Sequence, residues 1–248
     1  MSSSSNSQSQ SDPNVTPAEV SRIFGLVRRG SRGSDDALVH QLNHEIQAIA
    51  EREGVSKGGV VVKVRDASNI TLLHIAALYG REGVLDYYLE EATFPSDDEK
   101  QMRLHLLTCE TRSGDGPIHM AARTGQISFM HALKRYCLRL GQAPIINSRG
   151  FFGCTPLHFA VRAGHLDLAR EICRGRAGPA DVNAQNMSGQ TPLHLAVLKD
   201  NWEMAMGLLM AGADVTLADA GSMTPVAMAR ARPGSAVDGL FQNRGLLP

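Results

Sequence analysis

The apolar positions of the chain return in a block that recurs along its length. Thr71-Leu72-Leu73-His74-Ile75-Ala76-Ala77 is followed by Gly116-Pro117-Ile118-His119-Met120-Ala121-Ala122, Thr155-Pro156-Leu157-His158-Phe159-Ala160-Val161 and Thr191-Pro192-Leu193-His194-Leu195-Ala196-Val197. Thr224-Pro225-Val226-Ala227-Met228-Ala229 is a worn fifth copy. The blocks start 45, 39, 36 and 33 residues apart, so the spacing shrinks toward a unit of 33 and the surplus belongs to insertions. Each block reads as a helix start: Thr accepts backbone N–H bonds as an N-cap, and Pro in the first turn gives up no hydrogen bond. Gly80, Gly125 and Gly164 then end the helix with a residue that tolerates positive φ.

A second, amphipathic helix follows each first one. Its buried face is spelled by Val84, Leu85, Tyr88 and Leu89, then by Ile127, Met130 and Leu133, by Leu166, Ala169, Ile172 and Cys173, and by Met204, Ala205, Leu208 and Leu209. Segments such as Asp181-Val182-Asn183 and Asp214-Val215 lead back, and Asn69, Gly114, Gly153 or Gly189 supplies a tight turn two residues before the next helix. One such pair cannot bury its own apolar face, so the pairs are expected to stack and share a core.

These residues resemble the ankyrin-repeat family over residues 60–248. The resemblance implies an all-α solenoid of about five helix-turn-helix repeats, with insertions near 92–113 and 140–149. It also implies a structural role for the motif residues Thr71, His74, His119, Thr155, His158, Thr191 and His194, each His bonding to its Thr and to neighbouring loop backbone. The departures are Leu72 for Pro, Gly116 for Thr, Asp200 for Gly and Ala227 for His. The last, with Pro233 cutting the pattern short, fits a terminal capping repeat with one side to water.

Residues 1–15 are serine-rich, almost free of apolar side chains, and expected to be disordered. Residues 16–59 are expected to form an N-terminal helical cap. Thr16-Pro17-Ala18-Glu19 is a capping box ahead of Val20, Ile23, Phe24 and Val27, and a second stretch carries Val39, Leu42, Ile46 and Ile49. Gly33, Gly58 and Gly59 read as turn residues. In the first insertion Pro95 to Glu99 is a helix-start signal before Met102, Leu104, Leu106 and Leu107, so a helix is extended or added there. The second, with Gly141 and Pro144, reads as loop.

The 25 Lys and Arg balance 25 Asp and Glu, which argues against nonspecific coating of nucleic acid. No stretch reaches the roughly 20 apolar residues of a membrane span and the N-terminus lacks a signal-peptide core, so an intracellular place, cytoplasmic or nuclear, is expected. Cys109, Cys137, Cys154 and Cys173 show no paired or metal-binding spacing and read as reduced thiols.

No phosphate loop, nucleophile elbow or catalytic dyad is present by motif, and no metal, cofactor, small-molecule substrate or enzymatic activity is expected. His40 and His44 are four apart beside Glu45 but lack a third ligand, and read as a solvated helix face. Equivalent histidines of stacked helices stand about 10 Å apart, too far to share a zinc ion. Arg28-Arg29-Gly30-Ser31 has the form of a basophilic kinase site, a short match that arises often by chance.

The family's protein-binding strip is built from the loops and the exposed side of the first helices. By register it holds Arg65, Leu78 and Tyr79 from repeat one, and Arg112, Asp115 and Arg123 from repeat two. Arg149, Phe151, Phe152 and Arg162 come from repeat three, and Met187, Leu198 and Lys199 from repeat four. Six cations face only Asp115, so a partner with acidic residues is expected, with the paired rings as candidate anchors. The expected function is that of a noncatalytic scaffold binding another protein. The alternative is a substrate-recruiting or regulatory subunit of an enzyme complex, and nucleic-acid binding by the basic strip ranks behind both.

Overall fold

The structure, a computed structural model, describes residues 13–30, 35–91, 99–141, 145–175 and 180–243. Among the described residues the regular elements are helices, apart from one isolated antiparallel bridge between Arg65 and Thr71. Three helices precede the recurring blocks: α1 (Pro17–Arg29), α2 (Asp36–Glu53) and α3 (Lys57–Lys63). The five pairs follow. They are α4 (Leu72–Tyr79) with α5 (Glu82–Asp86), which runs on as a π turn over Tyr87–Glu91; then, after the inserted α6 (Glu99–Thr108), α7 (Pro117–Thr124) with α8 (Ile127–Arg139). Next come α9 (Pro156–Ala163) with α10 (Leu166–Cys173), α11 (Pro192–Leu198) with α12 (Trp202–Met210), and α13 (Pro225–Arg230) with α14 (Ala236–Asn243).

The first helices form one layer, α4, α7, α9, α11 and α13 each packed on the next, and second helices such as α10, α12 and α14 form another. A single core runs from Val20 of α1 to Phe241 of α14, as stacking of pairs that cannot bury their own faces requires. Ala76, Ala77, Ala121, Ala122, Ala160 and Ala196 are fully buried, where small side chains let neighbouring first helices approach.

The N-terminal pair continues this stack. Helix α1 packs on α4 and α2 on α5, as successive repeats do. Glu19 stands where the blocks have His: its Oε2 accepts the Thr16 N–H at 2.8 Å, and the Thr16 hydroxyl accepts the Glu19 N–H in return. Arg52 donates to Glu19, which holds that carboxyl down at about 2. Arg81, buried at the start of α5, reaches back to the C-terminus of α1, donating to Val27 O and Gly30 O and pairing with Asp35. Asp35 in turn accepts the Gly83 N–H.

Several expectations are corrected. Asn14 and Val15, assigned to the disordered tail, are held: Asn14 donates its N–H to Glu53 and accepts from Arg52, while Val15 packs on the core. Residues 1–12 of that tail, the kinase-like Ser31 and Gly33 lie outside the described residues. Gly58 and Gly59 are not turn residues but sit inside α3. Ser56 caps its N-terminus by accepting the Gly59 N–H, and Val60 and Val61 are buried.

The first insertion adds a helix, α6, which packs Leu106 and Leu107 inward; the Pro95 start signal falls among residues 92–98, outside the described ones. In the second insertion Ile145–Asn147 make a 3-10 turn with Ile146 buried, while residues 142–144 are outside. Pro233 does not end the fifth repeat. It lies in the turn before α14, whose N-terminal N–H groups of Ala236 and Val237 are accepted by the Asp200 carboxylate. Asp200 has φ +51 in place of the expected Gly, and its side chain joins repeat four to repeat five.

Candidate functional site

Five loop tips precede the first helices, and all five fold alike. The residue two places before the helix start takes positive φ in each: Asn69, Gly114, Gly153, Gly189 and Ser222. Its N–H donates to the carbonyl three residues back, closing the turn. In four tips the side chain at the foot of the turn accepts backbone N–H groups inside it. Asp66, Asn186 and Asp219 each take two and Thr111 takes the Asp115 N–H at 3.1 Å. The third tip has Gly150 at this place and no side chain to offer.

Neighbouring tips are joined by backbone: the Arg112 N–H donates to Ser68 O, Met187 to Phe152 O and Ala220 to Ser188 O, each at 2.9 Å. At the junction of repeats two and three the equivalent donor, Phe151 N–H, goes to Asp115 Oδ1 at 2.8 Å. Asp115 is therefore not an exposed acid of the strip; it is only 3% exposed. The expected balance of cations against Asp115 is corrected accordingly. Glu110, exposed at the position equivalent to Arg65 and Arg149, is an acid of this face that the sequence reading left out.

Behind the tips runs a row of histidines. His74, His119, His158 and His194 accept at Nδ1 the backbone N–H of Thr71, Gly116, Thr155 and Thr191 at 2.9–3.2 Å. Each Nε2 donates to a carbonyl of the next loop, Asp115 O, Ser148 O, Gln190 O and Met223 O, at 2.9–3.0 Å. A donor at one nitrogen and a carbonyl at the other fix the neutral Nε2–H tautomer. Burial pushes His74 and His158 down to about 4 and lowers His119 and His194 as well. Each imidazole thus ties one repeat to the next and is occupied at both nitrogens.

Among the described residues no group of three or more His, Cys, Asp or Glu converges as a metal site. Glu45, beside His44, pairs with Arg22 at 2.8 Å. The four cysteines are free, and burial raises their thiols, Cys173 to about 11, which leaves them poor nucleophiles.

The exposed part of the loop and first-helix face holds most of the residues picked from sequence. Phe151 and Phe152 are 43% and 56% exposed, edge to face with centroids 4.5 Å apart, and Met187 is 77% exposed. Phe152 has φ +55, a rare conformation for a bulky residue. Tyr79, Leu198, Arg112, Arg123, Arg149, Arg162 and Lys199 are also exposed, while Leu78 and Arg65 are half-buried. Arg162 lies over the Phe159 ring at 4.8 Å, Arg149 donates to Gln185 O, and Arg65 to Asn69 and Val62 O. Met223, exposed one residue before the fifth helix start, extends the apolar row and was missed because that repeat is worn. Trp202, Met210 and Leu138 are exposed on the second helices, away from this face.

The recurring loop, histidine row and stacked pairs coincide with the profile for ankyrin repeats (3 copies), which matches residues 73–185 and 118–219. The chain belongs to the ankyrin-repeat family. Ankyrin repeats are protein–protein interaction modules. The chain is 32% identical over 102 residues to the ankyrin repeat domain-containing protein 53 of Macaca fascicularis, covering 41% of this chain and 18% of the relative. It is 31% identical over 140 residues to the NF-kappa-B inhibitor zeta of Bos taurus, covering 56% of this chain and 16% of the relative. It is 26% identical over 132 residues to the transient receptor potential cation channel subfamily A member 1 of Drosophila melanogaster, covering 44% and 11%. The match spans less than a fifth of each of these relatives. No helix among the described residues is long and apolar enough to cross a membrane.

Proposed function

We propose that the protein is a noncatalytic scaffold that binds a partner protein inside the cell through the loop and first-helix face, using Phe151, Phe152 and Met187 as apolar anchors and Arg123, Arg162 and Lys199 as charge contacts. The supporting observation is the third loop tip. Two rings stand half in water on a backbone that holds Phe152 at positive φ, at the centre of a face whose cations meet no carboxylate among the described residues. Rings and arginines at the middle of a pre-formed surface are the usual carriers of binding energy, and a strained exposed residue persists where function keeps it. The partner's complementary surface is acidic with an apolar centre.

A regulatory reading sits within this one: one of the relatives is named as an inhibitor, and a surface that covers its partner can block it. The test is site-specific photo-crosslinking from Phe151, Arg162 and, as a control, Leu138 in cells, followed by affinity measurement with the captured partner. Phe151→Ala and Arg162→Ala should each weaken binding about tenfold or more. Capture through Leu138 alone, or unchanged affinity in both variants, refutes the proposal.

A further inference from the structure

The loop and first-helix face carries two parallel rows with different chemistry. Arg123 and Arg162 occupy the same place at the ends of α7 and α9, and Lys199 follows at the end of α11. All three are exposed, and among the described residues none reaches a carboxylate; Arg123 turns toward Met120 Sδ, and Arg162 stacks on Phe159. The loop row beside them is apolar through repeats three and four, with Phe151, Phe152 and Met187, the last two joined through Met187 N–H and Phe152 O. A bound element must therefore present a carboxylate edge and an apolar edge along the stack axis.

The spacing of the cations selects the secondary structure of that element. Arg123 and Arg162 sit at equivalent places on packed neighbouring first helices, about 10 Å apart, and Lys199, the C-cap of α11 one place past the equivalent Leu198, takes a similar next step. An α-helix climbs 1.5 Å per residue, so every seventh residue advances about 10.5 Å and returns to nearly the same face. An extended strand covers about 10 Å in three residues, and the third residue points to the opposite face. A helix can thus set a carboxylate against all three cations while keeping an adjoining apolar edge, and a strand cannot.

Resting on the loop-face reading above, we infer that the partner supplies an amphipathic α-helix lying along the stack axis. Its Asp or Glu residues, spaced seven apart, face Arg123, Arg162 and Lys199, and its apolar edge covers Phe152 and Met187. Three cations span two steps, about 20 Å, so roughly 14 residues of helix, four turns, make the contact.

The test uses the full chain and two fluorescent, helix-stapled peptides of about 22 residues and identical composition. In one the glutamates are seven apart beside an apolar edge. In the other they are five apart, which turns each about 140° from the last. Fluorescence anisotropy should show the first peptide binding about tenfold tighter. The Arg123→Glu, Arg162→Glu double variant should lose that advantage and instead take a peptide with lysines at the seven-residue spacing, a gain of function that misfolding cannot mimic.

Equal affinity for the two isomers overturns the inference. So does absence of binding to either peptide, or displacement of the first by an equal concentration of duplex DNA. If the cellular partner crosslinks to Phe151 and Arg162 while both peptides fail, only the helix is wrong; if it crosslinks elsewhere, the loop-face reading itself is wrong.

Discussion

Asp115 gives the Phe151 N–H the acceptor that a neighbouring tip's carbonyl supplies at the other junctions. Its Oδ1 accepts the Phe151 N–H at 2.8 Å, and a Cβ added to Gly150 would lie only 2.5 Å from that same oxygen. Elsewhere each tip steadies itself with its own Asp, Thr or Asn, and tips two, four and five donate a backbone N–H to the tip before. At this one junction the support comes from the preceding repeat, and His119 likewise bonds out of register, to Ser148 O. The ring-bearing tip is therefore set by a side chain 36 residues upstream.

The pair makes a reciprocal prediction. Asp115→Ala leaves the Phe151 N–H without its acceptor and should cost about 2 kcal/mol, and Gly150→Asn alone should also destabilise because its Cβ meets Asp115. In the double variant Asp115→Ala removes the oxygen that the added Cβ would meet, so urea denaturation should show it at least about 1 kcal/mol more stable than the sum of the singles predicts. Strict additivity would falsify the steric exclusion of a side chain at Gly150 by Asp115.

The histidine row predicts acid sensitivity. Folded-state values near 4 for His74 and His158 lie below the ordinary 6.5, so the folded state favours the neutral form. Their contribution is complete above pH 6.5 and is lost as pH falls from there toward 4, on the order of 3 kcal/mol for each. Glu19, held at about 2, keeps its contribution through that window and loses it only below 4.5. Thermal denaturation followed by circular dichroism should show Tm falling steeply between pH 6.5 and 4. A flat Tm across that range sinks the neutral-tautomer assignment.

Arg81 should be worth more than its place in a connecting turn suggests. It is 6% exposed and bonds the last carbonyls of α1 while pairing with Asp35. Arg81→Ala strands those groups, and removing one partner of a buried pair costs about 3 kcal/mol or more. Hydrogen exchange should report the loss first in α1 and α2, with α9 to α13 unaffected; uniform loss of protection would argue against a separable end.

Phe152→Gly separates stability from binding. The substitution removes an exposed ring but relieves the positive φ, so stability should stay within about 1 kcal/mol of the parent while partner affinity drops about tenfold or more. Calorimetric unfolding and titration with the captured partner give the two numbers. A large stability loss with intact affinity would make the ring a packing element instead.

What could be read in advance divides along physical lines. The Thr, Pro, His and Gly positions of each pair were legible because their bonds lie within one block or reach the same place in the next, so identical geometry demands identical residue types. Gly58 and Gly59 misled because their cost in a helix, about 1 kcal/mol each, is outweighed by the Ser56 cap and the burial of Val60 and Val61. Pro233 misled because a proline in the turn between paired helices ends the first without forbidding the second. Glu19 hides the kinship of α1 and α2 to a repeat, since a carboxylate accepts the same N–H as an imidazole without resembling one. Within the candidate site, exposed rings and cations were legible from register alone. The burial of Asp115 was not, because its partner is a backbone N–H 36 residues along the chain that at the other junctions goes to a carbonyl.

Modules of this kind invite cutting and splicing, and the Asp200 carboxylate on α14 marks a seam where that is hazardous. A transplanted final pair without an acid between α11 and α12 would arrive with the first amides of α14 bare, so any graft of the C-terminal unit has to bring that turn of repeat four with it.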